Sequence, residues 1–214
     1  MNLNLPQFTV EAWIRRTGPG STTASGLGTL NPVVPIATKG RTGSEGGAED
    51  VAFFLGILPN GRIGGDFESG PGTNHMVTAT TIIPMNEWHH VAMTYNGSQF
   101  KLYVDGNEDG SENYTDTPTS AATSHFAVGT SMNPSGVPAG AFVGQMDEVR
   151  VWNVARTEFQ INSTMNLSIN NGVGLVASYL FEETFGGLND MTGNNDGSPQ
   201  GTTEYYMPGA TCSP

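Results

Sequence analysis

The stretch Asn86-Glu-Trp-His-His-Val-Ala-Met-Thr-Tyr-Asn-Gly97, followed at once by Phe100-Lys-Leu-Tyr-Val-Asp-Gly106, decides the fold of this chain. Within residues 91–95, large apolar side chains alternate with smaller ones, the period of two expected of a half-buried strand. Asn96-Gly97 closes this strand, and Asp105-Gly106 opens a second turn. The stretch therefore predicts two antiparallel strands joined by a tight turn.

The strand pattern recurs along most of the chain. The further segments that show it are 8–14, 36–39, 51–57, 61–67, 77–83, 125–129 and 144–152. Loops rich in Gly, Ser, Thr and Pro separate these segments. One segment differs, because Thr157 and Gln160 have the spacing of a capping box, which predicts one short helix over Thr157–Met165.

Together, these segments predict an all-β fold, a sandwich of two antiparallel sheets with one short helix. The first strand, Phe8–Ile14, is expected to pair with or lie near the last strong strand, Met146–Trp152. A length of 214 residues and a hydrophobic fraction of 36% suit one large sandwich, so we predict a single domain over residues 1–214. No apolar run approaches the roughly 18 residues of a membrane span.

Charge and cysteine usage exclude two classes of protein. The chain carries 8 basic and 20 acidic residues, a net charge of −12, whereas nucleic-acid binding needs clustered Lys and Arg. Cys212 is the sole cysteine, so a disulfide framework within the chain is excluded; Cys212 is expected to be incidental or to pair with a neighbouring segment. The first residues show no signal-peptide pattern, so either a leader was removed or the chain is a module of a larger protein.

Four motifs occur in the order and near the spacing of one known family: residues 8–13, the strand that follows Trp88, residues 102–106 and residues 144–152. The second and third are similar to the pattern W-x-H-V-A-x-T-Y-x-G…L-Y-V-D-G of the laminin-G-like, concanavalin A-like jelly rolls. The resemblance implies a jelly-roll sandwich. Since this family consists mostly of extracellular recognition modules, it also implies a secreted or cell-surface protein whose partner is a glycan or an extracellular protein.

The C-terminal part resembles the opening strands of the same family, although it follows the last strong strand. Residues 174–183 and 189–197 carry this resemblance. Either they start a following repeat, or the segment 174–214 folds back and completes the same sandwich. We favour completion, because the chain otherwise lacks the usual first strands and would leave an unpaired edge and an exposed core.

Catalytic patterns are missing from the sequence. Enzymatic relatives of this sandwich hydrolyse glucans with carboxylates at near-alternating positions of one strand. The chain has no Glu-x-Asp-x-x-Glu, no Glu-x-Asp-x-Glu and no Gly-x-Ser-x-Gly elbow, so we predict a non-catalytic protein. His89 and His90 point to opposite faces of a strand and cannot both ligate one metal ion without distortion; we expect His90 to be structural.

Two tryptophans share one face of the predicted sheet. Strand alternation places Glu11 and Trp13 on the same face of the first strand, and Arg150 and Trp152 on the matching face of the last. Indoles beside an ion pair could form a platform for a sugar ring. Alternatively, a helix, loop or tail covers this face and buries it, which is the interpretation we favour.

The resemblance also implies one structural Ca²⁺. The family's aspartate at the start of the final strand corresponds to Asp147, and a carboxylate near the opening strand corresponds to Glu182 or Glu183. Asp190 and Asn195 could add oxygen ligands, because Ca²⁺ takes about six to eight oxygens. The alternative is that Asp190 and Asn195 only cap turns by bonding their own backbone.

Pentraxins, another branch of the superfamily, suggest a second candidate site. Residues 37–50 resemble the region that supplies their first acidic ligands, but residues 128–133 hold no carboxylate where their second acidic loop would lie. A two-calcium site of that type is therefore not expected. Glu49, Asp50 and Asn133 are candidates for a polar ligand site on the loop rim.

Function is predicted only as a class. The leading hypothesis is a non-catalytic recognition or adhesion module that binds a glycan or a protein and holds a structural Ca²⁺. The alternative is a structural spacer or subunit of a surface fibre, filament or adhesin, which would bind copies of itself or its neighbours. A glycoside hydrolase ranks third, because the carboxylate pattern is missing.

Overall fold

A computed structural model of the protein describes residues 3–26, 30–41, 51–70, 72–119, 123–183 and 186–200. Strands account for nearly all of its regular structure. They are β1 (Phe8–Arg16), β2 (Val34–Gly40), β3 (Val51–Ile57), β4 (Arg62–Gly70), β5 (Thr73–Ile82), β6 (His89–Tyr95), β7 (Gln99–Val104), β8 (Asn107–Asn113), β9 (Phe126–Val128), β10 (Ser131–Met132), β11 (Pro138–Ala139), β12 (Gly144–Trp152) and β13 (Leu175–Tyr179). The helix α1 spans Glu158–Thr164.

Two antiparallel sheets form a sandwich. One has six strands in the order β13-β12-β1-β6-β7-β8, and the other has five in the order β5-β4-β3-β2-β9. Strands β10 and β11 form a short separate hairpin. The predicted jelly-roll sandwich is confirmed, and so is the pairing of the first strand with the last strong strand, since β1 pairs with β12 and Glu11 lies opposite Arg150.

The core lies between the two sheets and is filled from alternate strand positions. Phe8, Phe67, Tyr95 and Phe100 form its aromatic centre, in which the ring centroids of Phe67 and Tyr95 lie 4.6 Å apart. Gly65 of β4 faces Phe100 so closely that an added Cβ would lie 2.9 Å from the phenyl ring. A side chain at this position would push the sheets apart, because interiors are close-packed.

Helix α1 covers part of the outer face of the six-stranded sheet. Thr157 is its N-cap, and the predicted capping box is present, since Thr157 Oγ1 accepts from the Gln160 N–H and the Thr157 N–H donates to Gln160 Oε1. Ile161 is buried against Ala92 and Tyr103 of the sheet. The predicted short helix is therefore confirmed, and its packing hides the sheet face beneath it.

The tail adds the edge strand β13 to the six-stranded sheet. β13 pairs antiparallel with β12, with Val149 opposite Tyr179 and Arg150 opposite Ser178. Residues 188–197 then turn back beside β13, and Leu188 and Gly197 bridge the turn. This is the arrangement expected of a segment that completes the sandwich, while a single domain over 1–214 stays a prediction, because residues 201–214, with Cys212, lie outside the described residues.

Candidate ligand-binding site

A pocket opens at one end of the sandwich, between the ends of the two sheets. Its volume is about 200 Å³. The end of β1, the loop that follows it, the β3–β4 turn and the segment before β12 form its walls. The apolar lining residues are Pro19, Val34, Ile57, Leu58, Pro59 and Phe142, and Arg16, Thr22 and two glycines complete the lining.

Backbone hydrogen bonds join two walls of this pocket. Thr17 N–H donates to Val143 O at 3.0 Å, and Ser21 and Ala141 exchange two bonds of 2.8 and 2.9 Å. Gly20 sits between them at φ +69°, and an added Cβ would lie 2.6 Å from Ala141 O. Position 20 therefore requires glycine for two reasons: a side chain would clash with Ala141 O, and other residues disfavour this backbone conformation. Backbone hydrogen bonds to the segment before β12 therefore hold in place the loop that forms this wall of the pocket.

Arg16 supplies the one charged group of the pocket lining. It is the last residue of β1, and strand alternation places it on the same side as the core residues Ala12 and Ile14. Its Nη1 donates to Ile83 O at 3.1 Å. Gly61 leaves room for this guanidinium, because a Cβ there would lie 3.0 Å from Nη1.

Six of the eight lysines and arginines fall into two groups. Lys101, Arg150 and Arg156 pair with carboxylates at 2.6–2.8 Å. Within the described residues, three arginines make no ion pair, and all three lie at the pocket end of the sandwich: Arg15, Arg16 and Arg62. Three arginines without an ion pair therefore lie at one end of a chain whose net charge is −12.

The face that carries the two tryptophans is covered. Trp13 Nε1 donates to Met165 O at 2.7 Å, and Trp152 Nε1 donates to Glu11 Oε1 at 2.8 Å. The Arg156 guanidinium lies 4.2 Å from the centroid of Trp152. The favoured interpretation is confirmed, since Arg156 before α1 covers Trp152, and Met165 after α1 binds the half-buried Trp13.

Beneath this cover lies a cluster of buried charges around Glu11, which is fully buried. Arg156 Nη1 lies 2.8 Å and Arg150 Nη1 3.6 Å from Glu11 Oε1, while His90 Nε2 lies 3.5 Å from Oε2. Burial alone would raise the pKa of Glu11, but the hydrogen bond and charge of His90 and the charges of Arg150 and Arg156 lower it to about 2. Only Arg156 has a slightly exposed side chain, and the cluster holds together the strands that form this sheet face.

The structure brings together two of the four predicted calcium ligands. Asp190 Oδ2 accepts from Asn195 Nδ2 at 2.9 Å and from Thr192 Oγ1 at 2.6 Å, and Oδ1 accepts from the N–H groups of Ser178 and Thr192. Burial would raise the pKa of Asp190, but these hydrogen bonds outweigh it and hold the pKa below its usual value. Asp190 and Asn195 thus bind the backbone and each other, as the turn-capping alternative expects.

The other two predicted ligands lie elsewhere. Asp147 is paired with Trp13 on β1, and its Oδ1 accepts from the Glu148 N–H. The β12 position opposite Ser178 is Arg150, three residues along the strand from Asp147. Glu182 is exposed. Within the described residues no three His, Cys, Asp or Glu side chains form a group that could hold a metal ion.

Of the rim candidates, only Asn133 can be placed. Glu49 and Asp50 lie outside the described residues. Asn133 lies in the β10–β11 turn, where its Oδ1 accepts from the N–H groups of Ser135 and Val137. The side-chain oxygen of Asn133 therefore shapes its own turn.

Sequence reasoning missed two sets of polar residues. Arg16 was not singled out, although the parity of β1 alone places it on the inner side of the strand end. Asp66 and Glu68, at a spacing of two on β4, share the outer face of the five-stranded sheet, where Asp66 accepts from Ser25 Oγ at 2.5 Å and Glu68 from the Val51 N–H at 3.0 Å. Both carboxylates are buried and fix neighbouring segments to the sheet.

Comparison with known proteins agrees with this fold. The family model for the concanavalin A-like lectin/glucanases superfamily matches residues 2–162, and the chain belongs to this superfamily. No curated protein matches the sequence significantly. No helix among the described residues is both long and apolar enough to cross a membrane.

Solved structures share the sandwich at low sequence identity. A candidate carbohydrate-binding protein of Bacteroides ovatus is 23% identical, with a TM-score of 0.63 over 91% of this chain and 52% of its own, so this chain spans about half of that protein. The sialidase module CBM40 of Ruminococcus gnavus is 17% identical (TM-score 0.55; 74% of this chain, 82% of its own) and has been solved with α2,3-sialyllactose. A heptameric pentraxin of Limulus polyphemus is 18% identical (TM-score 0.53; 79% and 72%). At these identities the likeness shows a common fold.

Proposed function

We propose that this protein is a non-catalytic carbohydrate-binding module that holds a sugar in the pocket at the end of the sandwich. The pocket itself is the observation that carries the proposal. Its walls are mostly apolar, and it contains Phe142 and a few polar groups, which is the usual composition of a small-molecule site. Superfamily membership and the carbohydrate-binding names of two structural neighbours support the same class of function.

The size of the pocket sets the expected ligand. Its volume of about 200 Å³ is smaller than the roughly 300–1,000 Å³ of pockets for drug-sized ligands. We therefore expect one sugar ring to enter, with the rest of a glycan outside. The apolar face of the ring would rest on Phe142 and the prolines, while hydroxyl groups meet Thr22 and backbone groups.

One feature of the pocket favours binding over hydrolysis. Glycoside hydrolysis usually needs two carboxyl groups beside the scissile bond. The residues that line the pocket include no Asp or Glu.

A secreted or cell-surface location, and a protein in place of a glycan as partner, remain proposals that follow from the superfamily alone.

A glycan array with the purified chain tests the proposal, and the variant Phe142→Ala locates the site. We expect binding to at least one glycan class and a roughly fivefold loss in Phe142→Ala, because aromatic contacts are worth about 1 kcal/mol. Phe159→Ala is the matched control, since Phe159 is 79% exposed on α1 and outside the pocket. Binding to no glycan, or equal losses in both variants, would reject the proposal.

Calcium binding by Asp147, Glu182, Asp190 and Asn195 stays a separate hypothesis. An ion at Asp190 would have to displace hydrogen-bond donors from both carboxylate oxygens. Melting curves with excess Ca²⁺ and with excess chelator decide the matter. A lower melting temperature in chelator, reproduced by Asp147→Ala, supports the ion, and identical curves reject it.

A further inference from the structure

We propose that the sugar held in this pocket bears a carboxylate group and that Arg16 is the residue that binds it. The inference rests on the proposed function, because the same pocket is the site in both. It adds the chemical class of the ligand and names the residue that determines specificity.

The first observation that supports this inference is the charge of the pocket lining. Acidic residues outnumber basic ones 20 to 8 in the chain, yet the pocket lining holds one arginine and no carboxylate. Within the described residues, Arg16 has no ion-pair partner, whereas Arg150 and Arg156 are each paired with buried glutamates. A guanidinium left unpaired in the wall of a pocket attracts anions and disfavours cations.

The second observation is the position of the Arg16 guanidinium. Arg16 is half-buried, and its guanidinium makes one hydrogen bond to the described residues, from Nη1 to Ile83 O at 3.1 Å. This bond orients the group but uses one of its five N–H donors. The planar fork of the remaining donors matches the two oxygens of a carboxylate, which a lysine ammonium would not match as well.

The third observation concerns the two neighbouring arginines. Arg15 and Arg62 lie at the same end of the sandwich, and neither makes an ion pair within the described part of the chain. Arg15 instead donates to Asn86 O and Gln145 Oε1. Neither residue lines the pocket, so both add to the local positive potential without touching the ligand. Arg62 therefore provides a variant with the same charge change and no expected contact.

Titration calorimetry on the whole chain tests the inference with matched pairs of ligands. The pairs are 3′-sialyllactose with its methyl ester, and a galacturonic acid trisaccharide with its methyl ester. In each pair only the charged carboxylate distinguishes the tighter ligand, so the pair that responds identifies whether a sialic acid or a uronic acid is the source. We expect one acidic member to bind at least tenfold more tightly than its neutral partner.

The variants assign the preference to a residue. Arg16→Gln should abolish the preference for the acidic ligand, a loss of roughly tenfold to a hundredfold, because hydrogen bonds to charged groups are the strong ones. Arg16→Lys should keep part of it, and Arg62→Gln should keep it within about twofold. An unchanged melting curve shows that a variant is folded. If Arg16→Gln does not fold, the affinities of Arg16→Lys for the acidic and the neutral ligand test the inference instead.

Failure of the inference and failure of the proposed function give different results. Equal affinity for acidic and neutral ligands, or a preference that survives the Arg16 variants, overturns the inference and leaves a neutral-sugar module. Equal losses in the Arg16 and Arg62 variants also overturn it, because they indicate long-range charge rather than a contact. Binding to none of the glycans overturns the proposed function as well.

Discussion

Glu11 is the residue on which the outer face of the six-stranded sheet depends. It is fully buried, and three potential cations converge on it from three parts of the chain: His90, Arg150 and Arg156. Removing one member of a buried charge cluster leaves the others without compensation, which costs more than the cluster contributes as a whole. Glu11 therefore links β1, β6, β12 and the segment before α1.

We predict that Glu11→Gln lowers the free energy of unfolding by about 3–5 kcal/mol, because Arg156 stays buried without a negative partner and Arg150 keeps only Glu148. Urea denaturation measures this change. Glu108→Gln is the control, since it removes the same charge from the partly exposed pair with Lys101 and should cost less than about 1 kcal/mol. Similar losses in both variants would contradict the role assigned to Glu11.

A pH dependence follows from the lowered pKa of Glu11. A carboxyl whose pKa is lower in the folded than in the unfolded state stabilises the fold above its unfolded pKa, and this contribution is lost as the pH falls. The pKa of Glu11 falls from 4.5 to about 2, so its share of stability should disappear between these two values. Melting temperatures from pH 6 to pH 2 should fall less steeply for Glu11→Gln than for the parent chain. Parallel curves would show that other carboxyls dominate acid unfolding.

At the scale of elements, β13 shows how the fold protects an exposed strand edge. A free edge offers unpaired N–H and C=O groups to other chains. Here the turn after β13 occupies them, because Asp190 accepts from the Ser178 N–H, while Thr192 and Asn195 donate to Val176 O. The tail thus caps the edge with side chains in place of a further strand.

We predict that Asp190→Ala releases this cap. The loss of an acceptor for the Ser178 N–H and for Thr192 should destabilise the protein by about 1–3 kcal/mol and speed hydrogen exchange at the amides of Ser178 and Met191. Asn194→Ala is the control, because the Asn194 side chain is exposed and donates only to Thr192 O. Unchanged exchange in Asp190→Ala would show that β12 and core contacts hold the tail without the cap.

The elements were predictable where the pattern is local. Alternation and turn dipeptides predicted β6 and β7, and the Thr157–Gln160 spacing predicted α1, because these signals depend on neighbouring residues. The calcium hypothesis requires Asp147 and Asp190 to meet, which depends on the register of β13 against β12. Register is set by packing across the sheet, and the sequence of one strand does not reveal it.

At the scale of the whole molecule, contacts between edge strands join the two sheets along both sides of the sandwich, whereas loops connect the strands at its ends. On one side, Asp109 of β8 accepts from the N–H groups of Thr80 and Thr81 on β5 and so joins the edges of the two sheets. On the other, Phe126 and Tyr179 stack at 6.0 Å. Loops at the strand ends are the remaining surface on which a ligand site can form, as is common for sandwiches.

The candidate pocket was beyond sequence analysis for the same reason. Arg16, Leu58 and Phe142 come from three separate parts of the chain, and nothing in their local sequence marks them as neighbours. The strand order brings them together, since Arg16 pairs with Gly144 and the β3–β4 turn lies beside Ile83. Fold class was therefore readable from the residues, whereas the site depended on the assembled sheets.

Chemical-shift mapping tests the central claim most directly. A ¹⁵N-labelled chain is titrated with the glycan that binds best on the array, and the backbone amides that shift are assigned. We predict that the largest shifts fall in residues 16–22, 57–62 and 140–144 around the pocket, with little change near Glu11 or Asp190. Shifts centred on Asp66 and Glu68, on the outer face of the five-stranded sheet, would contradict the claim and move the site to that face.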